Sequence, residues 1–92
     1  MEEKTTSFTK SLKYEVKYTH IGNLQQPLQT ISRFKEYSEG TELFKKKVID
    51  SADFLQLITG TINIILYRVV YVNDIAVNSE LLRSITLTST II

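Results

Sequence analysis

The chain contains no cysteine, and that absence removes disulfides, thiol catalysis, cysteine-based zinc sites and iron–sulfur clusters together. It contains one histidine, His20, and the carboxylates scattered around it show no metal-ligand spacing. A catalytic histidine also needs a nucleophile and an orienting group within reach, and the sequence places neither. Three glycines and one proline leave no phosphate-cradling loop, no dinucleotide fingerprint and no nucleophile elbow. No cofactor, metal or catalytic residue is expected on these grounds.

Charge and long apolar runs are scarce too. The net charge is +1, so no strong field draws nucleic acid or an anionic membrane to the whole surface. Residues 1–47 carry eight Lys, one Arg and six acids, and residues 48–92 carry two Arg and four acids. This mild asymmetry is that of a solvated basic face. The most apolar run, Ile62 to Val72, is interrupted by Asn63 and Arg68 and is about half the ~20 residues a membrane helix requires. The opening MEEKTTSFTK is polar and acidic, unlike a signal or transit peptide. Elimination leaves a soluble, cytoplasmic protein without membrane contact.

The residues present describe an ordinary folded chain. Ninety-two residues, 42% of them hydrophobic and 23% charged, suit one domain over 1–92 that buries its core unaided. Residues 1–7 are expected to be a disordered tail. From there Phe8, Leu12, Tyr14, Val16 and Tyr18 share one parity, while Thr9, Ser11, Lys13, Glu15, Lys17 and Thr19 take the other. Period two with one polar face predicts a half-exposed antiparallel strand, ended by the turn residues Gly22 and Asn23. Leu24, Leu28, Ile31, Phe34 and Tyr37 then recur at helical spacing. A helix is predicted to begin near Gln26 or Pro27 and to stop at Gly40.

A second helix is predicted from Thr41 to Thr59, closed by Gly60, with Phe44, Val48, Ala52, Leu55 and Ile58 as its buried stripe. Asp50 or Ser51 could instead cap a fresh helix, leaving LFKKKVI as a strand or a short helix. After Gly60 come a strand, TINIILYRVVYV, a tight turn at Asn73-Asp74, a return strand from IAVN, a turn or bulge at SELLR, and a closing alternation, SITLTSTII. The fold class is α+β, with an antiparallel sheet of three to four strands, two helices on one face and the order β-α-α-β-β(-β). Leu12, Val16, Ile31, Phe34, Phe44, Val48, Leu55, Ile64 and Leu66 are expected to form the core.

The run at 62–73 also carries the functional reading. As a strand it directs Ile62, Ile64, Leu66, Arg68, Val70 and Val72 to one face, predicted to lie on the helices. It directs Asn63, Ile65, Tyr67, Val69, Tyr71 and Asn73 to the other. A helical layer covers one face of a sheet, and aromatic residues are enriched at interfaces. Tyr67, Val69 and Tyr71, with Ile85, Leu87 and Ile91 of the final strand, are therefore the expected interaction surface. Arg68 either pairs with an acid while its stem lies on apolar neighbours, or anchors an anion or a partner carboxylate. Lys45, Lys46 and Lys47 form a basic cluster that could contact phosphates, although no aromatic platform is interleaved with it.

The order strand, two helices, then strands containing YRVVYVNDIAV is loosely similar to the RelE/ParE toxins. That resemblance implies a sheet that binds an antitoxin and an activity on ribosome-associated mRNA or on gyrase. Convergence of Arg33, Lys45, Lys46, Lys47, Arg68 and Arg83 in one concavity is the feature that would favour it. The residues themselves favour a non-enzymatic interaction or assembly module. Its partner would be itself, as a homo-oligomer, or another protein, with nucleic acid the less favoured choice.

Overall fold

The computed structural model describes residues 8–22 and 26–89. Within them β1 (Lys10–Ile21), β2 (Leu28–Phe34), α1 (Tyr37–Phe54), β3 (Thr61–Val72) and β4 (Ile75–Thr88) follow one another. The strands form one sheet in the order β2-β1-β3-β4, and every neighbouring pair is antiparallel. The class is α+β, as expected, but one helix lies against the sheet and the order is β-β-α-β-β.

The predicted helix from Gln26 or Pro27 to Gly40 is corrected by this order. Its central part is β2, paired with β1 from Tyr14↔Phe34 to His20↔Leu28. Helical spacing of Leu28, Ile31 and Phe34 is a weak preference, and tertiary pairing overrides it. A helix here would have left the edge of β1 without hydrogen-bond partners. Pro27 stands just before the strand, where its missing N–H costs no ladder bond. Gly40 is likewise not a helix stop. It lies in the first turn of α1, buried, where an added methyl would come within 3.2 Å of Leu66 Cδ1 and of Tyr14 Cβ. That glycine lets the helix approach the sheet closely.

α1 also ends earlier than the sequence suggests, at Phe54 rather than Thr59. Of its predicted stripe, Phe44 and Leu55 are buried, Val48 is half-buried and Ala52 is exposed. The helix end is tied down by Ser89, whose hydroxyl donates to the Leu55 carbonyl at 3.0 Å. Gly60, just before β3, has a positive φ of 142°.

β3 is central, and its register explains the core. It pairs with β1 from Lys10↔Val72 to Ile21↔Thr61 and with β4 from Thr61↔Thr88 to Val72↔Ile75. Ile62, Ile64 and Leu66 are fully buried and cluster with Val16, Phe44 and Leu55, while Tyr14, Tyr18, Phe34 and Val48 pack at the margin. Leu12 and Ile31, expected in the core, are 42% and 44% exposed. Ile31 pairs with Lys17, which pairs with Ile65, so it belongs to the face opposite the helix. Leu12 is on the helix side but past the end of α1. The lengths account for this. Eighteen helical residues span about 27 Å at ~1.5 Å each, whereas twelve strand residues span about 40 Å. One helix cannot cover the strand from end to end.

Arg68 marks the limit of cover. It follows Ile62, Ile64 and Leu66 on the same face, is exposed, and pairs with Glu80 directly across on β4. An ion pair thus crosses from β3 to β4 on that face just beyond the buried cluster. At the far end Asn73 and Asp74 turn the chain with φ of 51° and 65°, the left-handed pair of a two-residue hairpin turn. Two register shifts interrupt the β3–β4 ladder, between Leu66 and Tyr67 and between Val70 and Tyr71. They leave Leu82 and Val77 as extra residues of β4, so SELLR is a bulge inside one continuous strand.

Candidate interaction surfaces

The sheet face turned away from α1 is built by cross-strand rows. Ile31, Lys17, Ile65 and Ser84 form one row, and Arg33, Glu15, Tyr67 and Leu81 the next. Beyond them Lys13, Val69 and Ser79 align, then Ser11, Tyr71 and Ala76. The result is an apolar ridge along β3, bordered by charged stems of β1 on one side and by Leu81 on the other. Leu81 is 55% exposed. No helix among the described residues lies over this ridge.

Tyr71 is held by the protein itself. Its hydroxyl donates to Glu15 Oε2, Arg33 Nε donates to the same oxygen at 3.0 Å and to the Tyr71 hydroxyl at 3.2 Å, and Lys13 Nζ lies 5.4 Å from the ring centre. The bond to Glu15, with partial desolvation, raises the Tyr71 pKa above the ordinary tyrosine range. Hydrogen bonding to Glu15 also raises that of Arg33. Tyr71 thus folds over the sheet, beside a Val69 that is only 4% exposed. Ile65, Tyr67 and Leu81 are the parts of the ridge with no such network.

Ile85 and Leu87 do not join that face. They pair with Ile64 and Ile62 and so belong to the helix side. There a groove of about 460 Å³ separates α1 from β4, with Phe44, Val48, Ile49 and Ile85 along it and Lys45 and Arg83 at its rim. Ile91 lies outside the described residues, as do residues 1–7.

The basic residues are spread out. Arg33 is on the ridge face with Glu15, Arg68 is with Glu80, and Lys45 and Arg83 border the β4 groove. Lys46 lies by Phe34, Glu39 and Leu43, and Lys47 Nζ stands 5.0 Å over the Tyr18 ring. His20 is inside β1, edge-on to Phe54 with ring centres 5.5 Å apart, and its buried Nε2 has no hydrogen-bond partner. Among the described residues no cluster of three or more His, Asp or Glu gathers as metal ligands, and no helix is long and apolar enough to cross a membrane.

Comparison with protein-family models, with curated proteins and with solved structures gives no match for this chain.

Proposed function

We propose that this protein is a non-enzymatic assembly module that self-associates through the sheet face opposite α1. The observation that carries the reading is the ridge of Ile65 and Tyr67 on the central strand with Leu81 beside them on β4, on a face with no helix over it. A second copy packed face to face would give two aligned sheets about 10 Å apart, the arrangement of a β-sandwich. Lys13 and Lys17 can lay their stems along the contact and keep their ammonium groups in water. Tyr71, fastened to Glu15, offers its ring edge as part of a preorganised surface, which lowers the entropy cost of docking.

The toxin-like alternative draws its main support from an element order that the structure replaces, since two strands precede a single helix. It also calls for one basic concavity, and the six basic residues are distributed over separate surfaces, two of them already paired with acids. Dispersal supports the assembly reading.

Sedimentation velocity at micromolar concentration is the test. The wild type is expected to sediment as a dimer or larger. Tyr67→Ala with Leu81→Ala is expected to convert it to a monomer with an unchanged circular dichroism spectrum, because aromatic anchors near an interface centre commonly contribute ~2 kcal/mol or more. A wild type that stays monomeric across that range would overturn the proposal.

A further inference from the structure

The second surface, on the other side of the sheet, has a different chemistry. β4 is an edge strand of fourteen residues, and alternate residues along its outer side direct N–H and C=O groups to solvent. Such an edge pairs readily with another extended chain unless something blunts it. Bulges do blunt part of β4, at Val77 and Leu82, because each bends the strand and breaks its hydrogen-bond rhythm. From Arg83 to Thr88 the register to β3 runs without interruption. Edge protection therefore ends where the groove between β4 and α1 begins.

The groove is shaped for the side chains of an added strand. Residues of such a strand that face α1 would lie beneath Val48 and Ile49, opposite Ile85. Ile49 is 63% exposed although it belongs to a helix packed on the sheet. Two cations border the same space. The Arg83 guanidinium lies 5.1 Å over the Phe44 ring, and Lys45 is on the helix above. Among the described residues neither has a carboxylate partner; the two ion pairs are Arg33–Glu15 and Arg68–Glu80.

We infer that this groove binds an extended peptide by strand addition to residues 83–88, and that the peptide carries an acidic side chain two positions from an aliphatic one. The spacing follows from the pleat. Arg83 and Ile85 are two apart on one face, so their cross-strand partners are two apart on one face as well. The aliphatic residue sits opposite Ile85 under the helix, and the acid sits opposite Arg83 within reach of Lys45. Main-chain hydrogen bonds to the edge supply sequence-independent affinity, and the two side chains supply selection. Charge decides against a second copy of this chain as the occupant. Antiparallel pairing of β4 with itself about Ile85 sets Leu87 opposite each Arg83, so neither Arg83 nor Lys45 gains a carboxylate.

The test is selection of displayed random octapeptides on the purified protein. Binders are expected to converge on an acid and an aliphatic residue separated by one position. A synthetic copy of the consensus should slow amide exchange across residues 83–88 by at least about tenfold. Arg83→Glu, with folding checked by circular dichroism, should lose the selected peptides and shift selection toward Lys or Arg at the acidic position. Tyr67→Ala with Leu81→Ala should leave peptide binding intact, which separates this inference from the self-association reading. Failure to select any peptide, a consensus without an acid, or unchanged selection by the Arg83→Glu variant would each overturn it.

Discussion

Leu66→Ala and Leu12→Ala make the same chemical change on the same face of the sheet, and the limit of helical cover separates them. Leu66 is fully buried between β3 and the first turn of α1, where Gly40 brings the helix backbone close. Truncation there removes transfer energy and leaves a cavity, because neither the helix nor the sheet can move in to fill it. We expect a loss of ~3–5 kcal/mol, the upper part of the range for such changes. Leu12 is 42% exposed and pairs with Val70 beyond the end of α1. It loses about half the burial term and opens no enclosed cavity, so its cost should be about 1 kcal/mol. A chain of 92 residues has roughly 5–14 kcal/mol of stability in total, so Leu66→Ala removes a large share. In urea titrations followed by circular dichroism, a slope of ~1–2 kcal/mol per molar makes this a midpoint shift of about 1.5–5 M for Leu66→Ala and of about 0.5–1 M for Leu12→Ala at the same slope. Equal shifts for the two variants would refute the idea that the helix divides the face into a covered and an uncovered half.

Two further predictions concern the ends of the sheet. Gly60→Ala would place a methyl 2.6 Å from both the Ile21 carbonyl oxygen and His20 Nε2, at a φ of 142° that side chains avoid. The expected cost is about 2 kcal/mol or more, seen as a fall of about 8–16 °C in Tm, and an unchanged Tm would contradict the geometry. Tyr71, whose hydroxyl donates to Glu15, should ionise above the ordinary tyrosine range in an ultraviolet titration. Its raised pKa means that the folded state favours the protonated phenol, so this stabilisation is complete below the ordinary tyrosine range and is lost as pH rises through the raised value. Tyr71→Phe should delete the absorbance change above the ordinary tyrosine range; a curve of unchanged shape would show that the hydroxyl is not held.

Much of the sheet was legible because its strands are covered on one side only. Period two in β1 and β3 places Val16, Ile62, Ile64 and Leu66 inward as expected, and Asn73-Asp74 forms the turn. β2 was not legible. Its helix-side residues, Leu28, Thr30, Ser32 and Phe34, have polar members in the middle, so the alternation signal vanishes and a three-residue apolar spacing remains. The strand is specified by the free edge of β1, a property of the assembled sheet that no local pattern carries. Gly40 misled for a related reason, since a glycine that permits close helix–sheet approach looks, in sequence, like one that ends a helix.

The candidate surface was legible in composition but not in geometry. Tyr67, Val69 and Tyr71 do share the face away from the helix, yet Ile85 and Leu87 are on the other side. Alternation along one strand cannot reveal how its parity relates to a neighbour's, because that depends on register, and register depends on turns and bulges. Here the extra residue at Leu82 resets the count: Leu81 faces the ridge, Arg83 faces the helix, and Ile85 follows Arg83. Without that bulge Ile85 would face the ridge with Leu81, and Arg83 with them. One inserted residue thus gives β4 two settings in sequence, first beside the ridge and then as an uninterrupted edge beside the groove. Because the ridge and the groove beside α1 lie on opposite faces of the sheet, self-association as proposed would leave each copy's groove accessible.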